Sequence, residues 1–255
     1  MPLVSIITPV CNASRWIPDV LTSVWKQTFA DWEHLLVDDA STDSSTEMIE
    51  AAAERDVRIV LVRMSRNSCP SAARSRALDA ARGRYIAFLD ADDLWLPEKL
   101  SRSISCMQAN GYAFLYHDYR FMSYDGQRVG PLVVAPEVLD FRALHTQRGF
   151  GCLSIVLDRE QLPDFRFPTD HAFLHEDFCA WLRVVQDGHI GHPLHADLAR
   201  YRLSAQSRSG NKLHAARETW KIYRQFSGLS LPRATGWWLQ YAWNGFWLHH
   251  SARPR

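Results

Sequence analysis

This 255-residue chain has no cysteine pairing that would make a disulfide frame or a zinc site. Its five cysteines, at 11, 69, 106, 152 and 179, are odd in number and scattered, with no C-x-x-C pair. That pattern suggests free thiols in a reducing compartment. Neither G-x-G-x-x-G nor G-x-x-x-x-G-K-[ST] occurs, which argues against a dinucleotide-dependent dehydrogenase or a P-loop kinase. Any diphosphate must then be held by metal and side chains. No apolar run reaches the roughly 18 to 20 residues that a membrane span requires. No charged-then-apolar leader precedes the first strand, so no signal peptide is expected. Acid is scarce at one end: from Leu198 onward Glu218 is the single acid among ten basic residues. The last 58 residues therefore carry about +9 and the first 197 about −8, although the whole chain is only +1. Such a basic end suits an anionic partner, a diphosphate or an anionic membrane surface. No helix-turn-helix, zinc finger or aromatic RNA-binding pattern accompanies it, so nucleic acid is not expected.

What is present is globular, with 47% hydrophobic and 22% charged residues. The first half alternates strand and helix. Leu3–Thr8 is a β-branched apolar run closed by Pro9. Trp16, Ile17, Val20, Leu21, Val24 and Trp25 follow at helical spacing. Glu33–Val37 is a strand ending at Asp38-Asp39, and Ser41 or Thr42 is a candidate cap for a helix over Thr46–Glu54. Arg58–Val62 is a third strand. An alanine-rich helix over Ala72–Ala81 is expected to stop at Gly83. Tyr85–Leu89 is the fourth strand. This order predicts an α/β fold with a mostly parallel sheet flanked by helices, and ligands at the carboxyl ends of its strands.

The fourth strand runs straight into Asp90-Ala91-Asp92-Asp93. Unpaired carboxylates are too costly to bury, so they belong at the sheet edge. Two carboxylates one residue apart can grip a hard divalent cation and leave positions for water and phosphate oxygens. For a bare pair of this kind an acidic turn, or a helix N-cap at Asp93 ahead of Leu94-Trp95-Leu96-Pro97, is the commoner explanation. The second acidic strand end, Asp38-Asp39, weighs toward a site.

Together these segments resemble family 2 glycosyltransferases. The resemblance rests on Val4-Ser5-Ile6-Ile7-Thr8-Pro9-Val10-Cys11-Asn12, Ser23-Val24-Trp25-Lys26-Gln27-Thr28-Phe29 and Val37-Asp38-Asp39-Ala40-Ser41-Thr42-Asp43. It continues through Asn67 to Ala73-Arg74, Arg84 to Asp93 and His175-Glu176-Asp177, and so covers nearly all of the first 187 residues in order. It implies a Rossmann-like GT-A fold and an inverting transfer of sugar from a nucleotide diphosphate, usually a UDP-sugar, with Mg²⁺ or Mn²⁺. Position by position it implies that Thr8, Pro9 and Val10 line the nucleotide pocket and that Asp39 accepts a hydrogen bond from uracil. Arg74 would face the base or the diphosphate. Asp90 would contact ribose or a metal-bound water, and Asp92 would ligate the metal directly. Asp177 becomes the general base and Glu176 an acceptor-positioning residue, while His175 assists or merely packs. Many relatives end this domain with Tyr-Arg-x-His. Here the run is Tyr201-Arg202-Leu203-Ser204, with serine in place of the histidine, so Arg202 and Arg208 are the candidates to clamp the diphosphate.

The C-terminal stretch Gly236–His250 is dense in Trp and Tyr, which favour membrane interfaces, and has basic flanks. A helix packed on the protein's own core is the plainer reading. Its tail resembles that of bacterial enzymes that extend lipid-linked O-antigen or exopolysaccharide units. The expectation is a catalytic domain over 1–210 and a helical, basic, aromatic extension over 211–255. The enzyme would move a hexose or N-acetylhexosamine, galactose first, onto a polyprenyl-diphosphate-linked saccharide. It would sit in the cytoplasm, peripherally on the inner face of the cytoplasmic membrane. A sugar nucleotidyltransferase, or a non-catalytic nucleotide-sugar-binding protein, is the alternative. Gly149–Ser154 is read as a strand, on the acceptor side or in the core.

Overall fold

The computed structural model describes residues 1–168, 175–203 and 212–251. A nine-stranded sheet carries the fold, and its first half follows the sequence expectation closely. β1 (Val4–Val10), α1 (Ile17–Trp25), β2 (Trp32–Asp38), α2 (Ser45–Arg55), β3 (Ile59–Arg63), α3 (Pro70–Ala80) and β4 (Tyr85–Phe88) form parallel units in the spatial order β3-β2-β1-β4. β1, β2 and β4 are buried on both faces, which is why they read as largely apolar runs rather than alternating ones, while the edge strand β3 is only partly buried.

The second half turns the sheet mixed. β5 (Leu94–Trp95), α4 (Lys99–Asn110), β6 (Phe114–Met122), β7 (Val129–Val133), α5 (Phe141–Thr146), β8 (Val156–Asp158), α6 (Glu176–Gln186) and β9 (Gly191–Arg202) follow in the chain. β8 pairs antiparallel with both β4 and β6, while β9 pairs parallel with β6 and antiparallel with β5. The last pairing, Leu94 against Arg200, brings residue 202 beside the loop that leaves β4. No strand forms over Gly149–Ser154, where a 3₁₀ turn covers Cys152–Ser154.

Local signals shift by a residue or two. Helix α2 starts after Ser44, and Asp43 rather than Ser41 or Thr42 accepts the Ser45 amide, at 3.0 Å. Gly83 does not end its helix in the left-handed conformation. It is needed because a Cβ there would lie 2.6 Å from the Ser5 nitrogen, where the chain crosses β1. The left-handed glycine cap belongs instead to Gly111 after α4, with φ of 67°.

Two large apolar layers cover the sheet faces, one under α1, α2 and α4 and one under α3, α5 and α6. A smaller cluster of Tyr223, Leu229 and Ala234 joins α7 (Lys212–Lys221) and its π-helical continuation Ile222–Phe226 to α8 (Leu231–Ser251). Helix α8 is two-sided. Trp237 stacks near Phe141 and His145, Trp238 donates its indole N–H to the Ala216 carbonyl at 3.2 Å, and Asn244 donates to Thr146 at 2.7 Å. Trp237, Trp238 and Tyr241 therefore pack on the body, whereas Leu231, Leu239, Trp243, Phe246 and Trp247 are at least half exposed. No helix among the described residues is long and apolar enough to cross a membrane.

Candidate active site

The carboxyl ends of β1, β2 and β4 lie on one edge of the sheet, and the two acidic strand ends meet there. At the end of β2 the neighbouring acids divide the work. Asp38 accepts the Ser41 amide at 3.2 Å and the Thr46 hydroxyl at 2.9 Å, so it shapes the turn into α2. Asp39 is tied to β1, its amide donating to the Val10 carbonyl at 2.8 Å. One of its carboxylate oxygens accepts the Ser68 amide at 2.9 Å, and its carbonyl accepts the Asn67 side-chain amide at 3.0 Å. Burial, with Asp38 adding to it, pushes the Asp39 pKa up. Ala40 follows with φ of 56°, a left-handed turn that non-glycine residues adopt rarely.

Of the three β1 residues expected at the nucleotide, Thr8 is fully buried and its hydroxyl bonds His34 Nε2 at 2.8 Å. Val10 is buried as well, and Pro9 alone of the three is half-buried. Thr8 and Val10 thus form the floor behind Asp39, and their backbone sets its position.

At the end of β4 the Asp93 amide donates to the Asp90 carbonyl at 3.1 Å, a tight turn that fans out three carboxylates. Asp90 forms an ion pair with Arg74 of α3, whose guanidinium also lies 5.6 Å from the centre of the Phe167 ring. Asp92 is partly exposed, and burial followed by the charge of Asp90 raises its pKa to about 6. Asp93 does not cap α4. It is buried and accepts the Arg202 amide at 2.8 Å, and burial pushes its pKa well up.

Arg202 was expected at the diphosphate, but its guanidinium is already engaged. It donates to the Asp92 carbonyl at 2.8 Å and the Tyr124 carbonyl at 2.9 Å, pairs with Asp19 at 3.2 Å and lies over Trp16 at 4.1 Å. With only 3% of its surface exposed it braces the acidic turn from behind. Arg208 and Ser204 lie outside the described residues.

The opening of α6 closes the site from the other side. Glu176 is buried and accepts the Ser71 hydroxyl of α3 at 2.9 Å, fixing the helix start against α3. Asp177 accepts its neighbour Phe178's amide at 2.8 Å and remains half-buried. Arg74 feels the carboxylates of both Asp90 and Asp177, which hold its pKa up although burial works against its charge. One arginine thus links the strand-end acids to the acid that opens α6. A pocket of about 220 Å³ opens beyond Asp177, bounded by α6, α8 and residues 147–152. His175 lines it, buried enough that its Nε2 has no hydrogen-bond partner and its pKa is lowered. Ser68, Asn67, Ser71 and Arg148 had no assigned role from sequence. Only the first three carried any signal, by standing inside the segment 67–74.

The residues present fit a hard divalent cation. Asp90 and Asp92 leave one turn two residues apart, and burial first and the charge of Asp90 second disfavour the Asp92 carboxylate, a cost that a cation would relieve. No group of three His, Cys, Asp or Glu residues placed to hold a metal exists among the described residues. Such a cation would therefore be held by two carboxylates and completed by water and phosphate oxygens.

Comparison with known proteins identifies the family. The family model "Glycosyl transferase family 2" matches residues 5–150. TuaG of Bacillus subtilis, named as a teichuronic acid biosynthesis glycosyltransferase, is 37% identical over 95% of this chain and 96% of its own. WfgD of Escherichia coli, named UDP-Glc:alpha-D-GlcNAc-diphosphoundecaprenol beta-1,3-glucosyltransferase, is 36% identical over 91% of this chain and 89% of its own. Among solved structures, Staphylococcus aureus TarS with UDP-GlcNAc superposes with a TM-score of 0.69 at 18% identity, covering 95% of this chain and 72% of that one. The mannosyltransferase PcManGT of Pyrobaculum calidifontis, with GDP-Man and Mn²⁺, gives a TM-score of 0.70 at 18% identity, covering 95% and 70%. The likeness to these two shows the shared GT-A-like architecture, while the family model and the relatives of similar length establish that the chain belongs to glycosyl transferase family 2 and is a glycosyltransferase.

Proposed function

We propose that this enzyme moves a hexose from a UDP-sugar onto a saccharide carried on a polyprenyl diphosphate, with inversion at the transferred carbon. The observation that carries the reading is that Arg74, ion-paired with Asp90, also feels the charge of Asp177 at the start of α6. It puts a half-buried carboxylate near an acid pair suited to a nucleotide diphosphate. Asp39 offers its carboxylate to the uracil edge, held in place by the Ser68 amide. A divalent cation on Asp90 and Asp92 would supply charge stabilisation for the leaving diphosphate. Arg202 keeps the acidic turn in place, and Arg74 holds Asp90.

Asp177 takes the proton from the acceptor hydroxyl as that oxygen attacks the anomeric carbon. The new bond runs from oxygen to carbon, and the bond from carbon to the UDP oxygen breaks on the opposite face. Glu176, tied to Ser71, fixes the helix start that aims Asp177. The relatives WfgD and WfaP are both named for UDP-glucose, so glucose ranks ahead of galactose as the first donor to test. The outer face of α8, with Leu239, Trp243, Phe246 and Trp247 exposed, suits shallow contact with a membrane surface on which such an acceptor resides.

A screen of UDP-glucose, UDP-galactose and UDP-N-acetylhexosamines against a short-chain N-acetylglucosaminyl diphosphate, reading UDP release and product anomer, tests this. One donor should give an inverted glycoside only when Mn²⁺ or Mg²⁺ is supplied. Retained configuration, or undiminished transfer in EDTA, would overturn the mechanism.

A further inference from the structure

Arg148 follows α5 and points into the pocket beyond Asp177. Its guanidinium lies over the Tyr241 ring of α8, and Gly245 one helical turn later leaves it room: a Cβ there would sit 3.3 Å from Arg148 Nε. The Nε is buried without a hydrogen-bond partner. Arg148 is not among the arginines within ion-pair distance of a carboxylate of the described residues. Burial presses its pKa down from the ordinary arginine value, opposed by Tyr241 and Tyr223. Arg148 is half-buried with its Nε enclosed; enclosing part of a guanidinium without an anion is costly, and a fold tolerates it where a ligand brings the anion.

The walls of this pocket narrow the choice of anion. Asp177 lies on the same lining as Arg148, and His175 between them feels both charges. The indole of Trp181 and the ring of Phe178 complete an apolar wall of the kind on which a sugar face rests. A base for a ring hydroxyl and a planar cation for an anion therefore share one cavity sized for a single sugar. Arginine's fork matches two phosphate oxygens at once.

We propose that Arg148 receives the diphosphate of the acceptor, so that the pocket selects a sugar directly esterified to diphosphate as the one that takes the new bond. The proposal rests on the reading of the chain as a transferase to polyprenyl-diphosphate saccharides. It adds that recognition of the acceptor's diphosphate is separate from that of the donor, which belongs to Asp90, Asp92 and Asp39. Because α8 supplies Tyr241 to this pocket and exposes Trp243, Phe246 and Trp247 along its outer side, one helix links the diphosphate seat to the surface where the lipid would lie.

The test uses the full chain with saturating UDP and Mn²⁺. Calorimetry measures binding of a short-chain alkyl N-acetylglucosaminyl diphosphate and of neutral octyl N-acetylglucosaminide. The wild type should bind the diphosphate at least tenfold more tightly. Arg148→Met should erase that preference, Arg148→Lys should restore part of it, and UDP affinity should be the same in all three. A tenfold preference kept by R148M overturns the proposal, and so does a parallel loss of UDP affinity, which would place Arg148 at the donor. If R148M melts out, the wild type still decides: methylenediphosphonate should compete with the diphosphate acceptor and not with the neutral one, and a wild type that binds both glycosides alike overturns the proposal. UDP binding with neither glycoside bound would instead count against the lipid-diphosphate acceptor itself.

Discussion

Asp92→Asn should make the metal-free protein more stable while removing metal-supported UDP binding. The Asp92 carboxyl has its pKa raised from the ordinary 3.8 to about 6, by burial first and by Asp90 second. Each pKa unit is worth about 1.4 kcal/mol, so ionising this group in the folded chain costs roughly 3 kcal/mol relative to the unfolded one. Solvent reaching the partly exposed side chain screens some of this, leaving about 1–3 kcal/mol. The sign follows from linkage. Below pH 3.8 both states carry the proton and no penalty exists; it grows as pH rises through 3.8 to 6 and is complete above that window. Asparagine removes the penalty, so in EDTA at pH 8 the variant should melt roughly 2–10 °C above wild type. At pH 4 the two should melt nearly together. With Mn²⁺ and UDP the order should reverse, since only the wild type gains binding free energy. Equal melting temperatures at pH 8 in EDTA, or a gain that does not shrink in acid, would refute the reasoning.

Asp177→Asn keeps the shape of the α6 start but cannot take a proton, and transfer should fall about 10²- to 10⁴-fold with UDP affinity unchanged; near-wild-type turnover would remove Asp177 from the role. Arg202→Met strands the Asp92 and Tyr124 carbonyls and frees Asp19, and urea unfolding should show a loss of about 2–4 kcal/mol, with weaker Mn²⁺-dependent UDP binding. Gly83→Ala places a Cβ 2.6 Å from the Ser5 nitrogen, a backbone atom that cannot yield without moving β1, and should cost about 1–3 kcal/mol by the same measurement. Changing Trp243, Phe246 and Trp247 of α8 to serine should abolish sedimentation with anionic vesicles and leave the melt unchanged, whereas deleting 231–255 would also remove Ala234 and uncover Tyr223 and Leu229. A triple variant that still sediments would show that this face does not meet lipid.

The sequence by itself determined the sheet's first half and the place of its acids. Largely apolar runs that stop at Asp38-Asp39 and Asp90-Ala91-Asp92 leave little freedom, because a strand buried on both faces is mostly apolar and releases unpaired charges at its end. The start of α6 at Glu176-Asp177 was legible for the same kind of reason, acids collecting at a helix N-terminus. The tertiary structure alone decided which of these acids are free. Asp38 and Asp93 are spent on a turn and on the Arg202 amide, and Asp39 is buried with one oxygen on the Ser68 amide, while Asp92 and Asp177 keep a partly open carboxylate, and nothing in a D-D or D-x-D-D string separates them. The antiparallel pairing of β5 with β9 turned Arg202 from a candidate phosphate ligand into a brace, a consequence of contacts more than a hundred residues apart in the chain. Helix α8 shows the same limit: its aromatics advertise burial of some kind, but whether protein or another surface covers each ring depends on rotation about the helix axis, and the packing of Trp237 on Phe141 and His145 sets that rotation. Arg148 gave no signal at all, because an arginine becomes notable only once folding has enclosed its Nε without a partner and set it on the lining of a pocket.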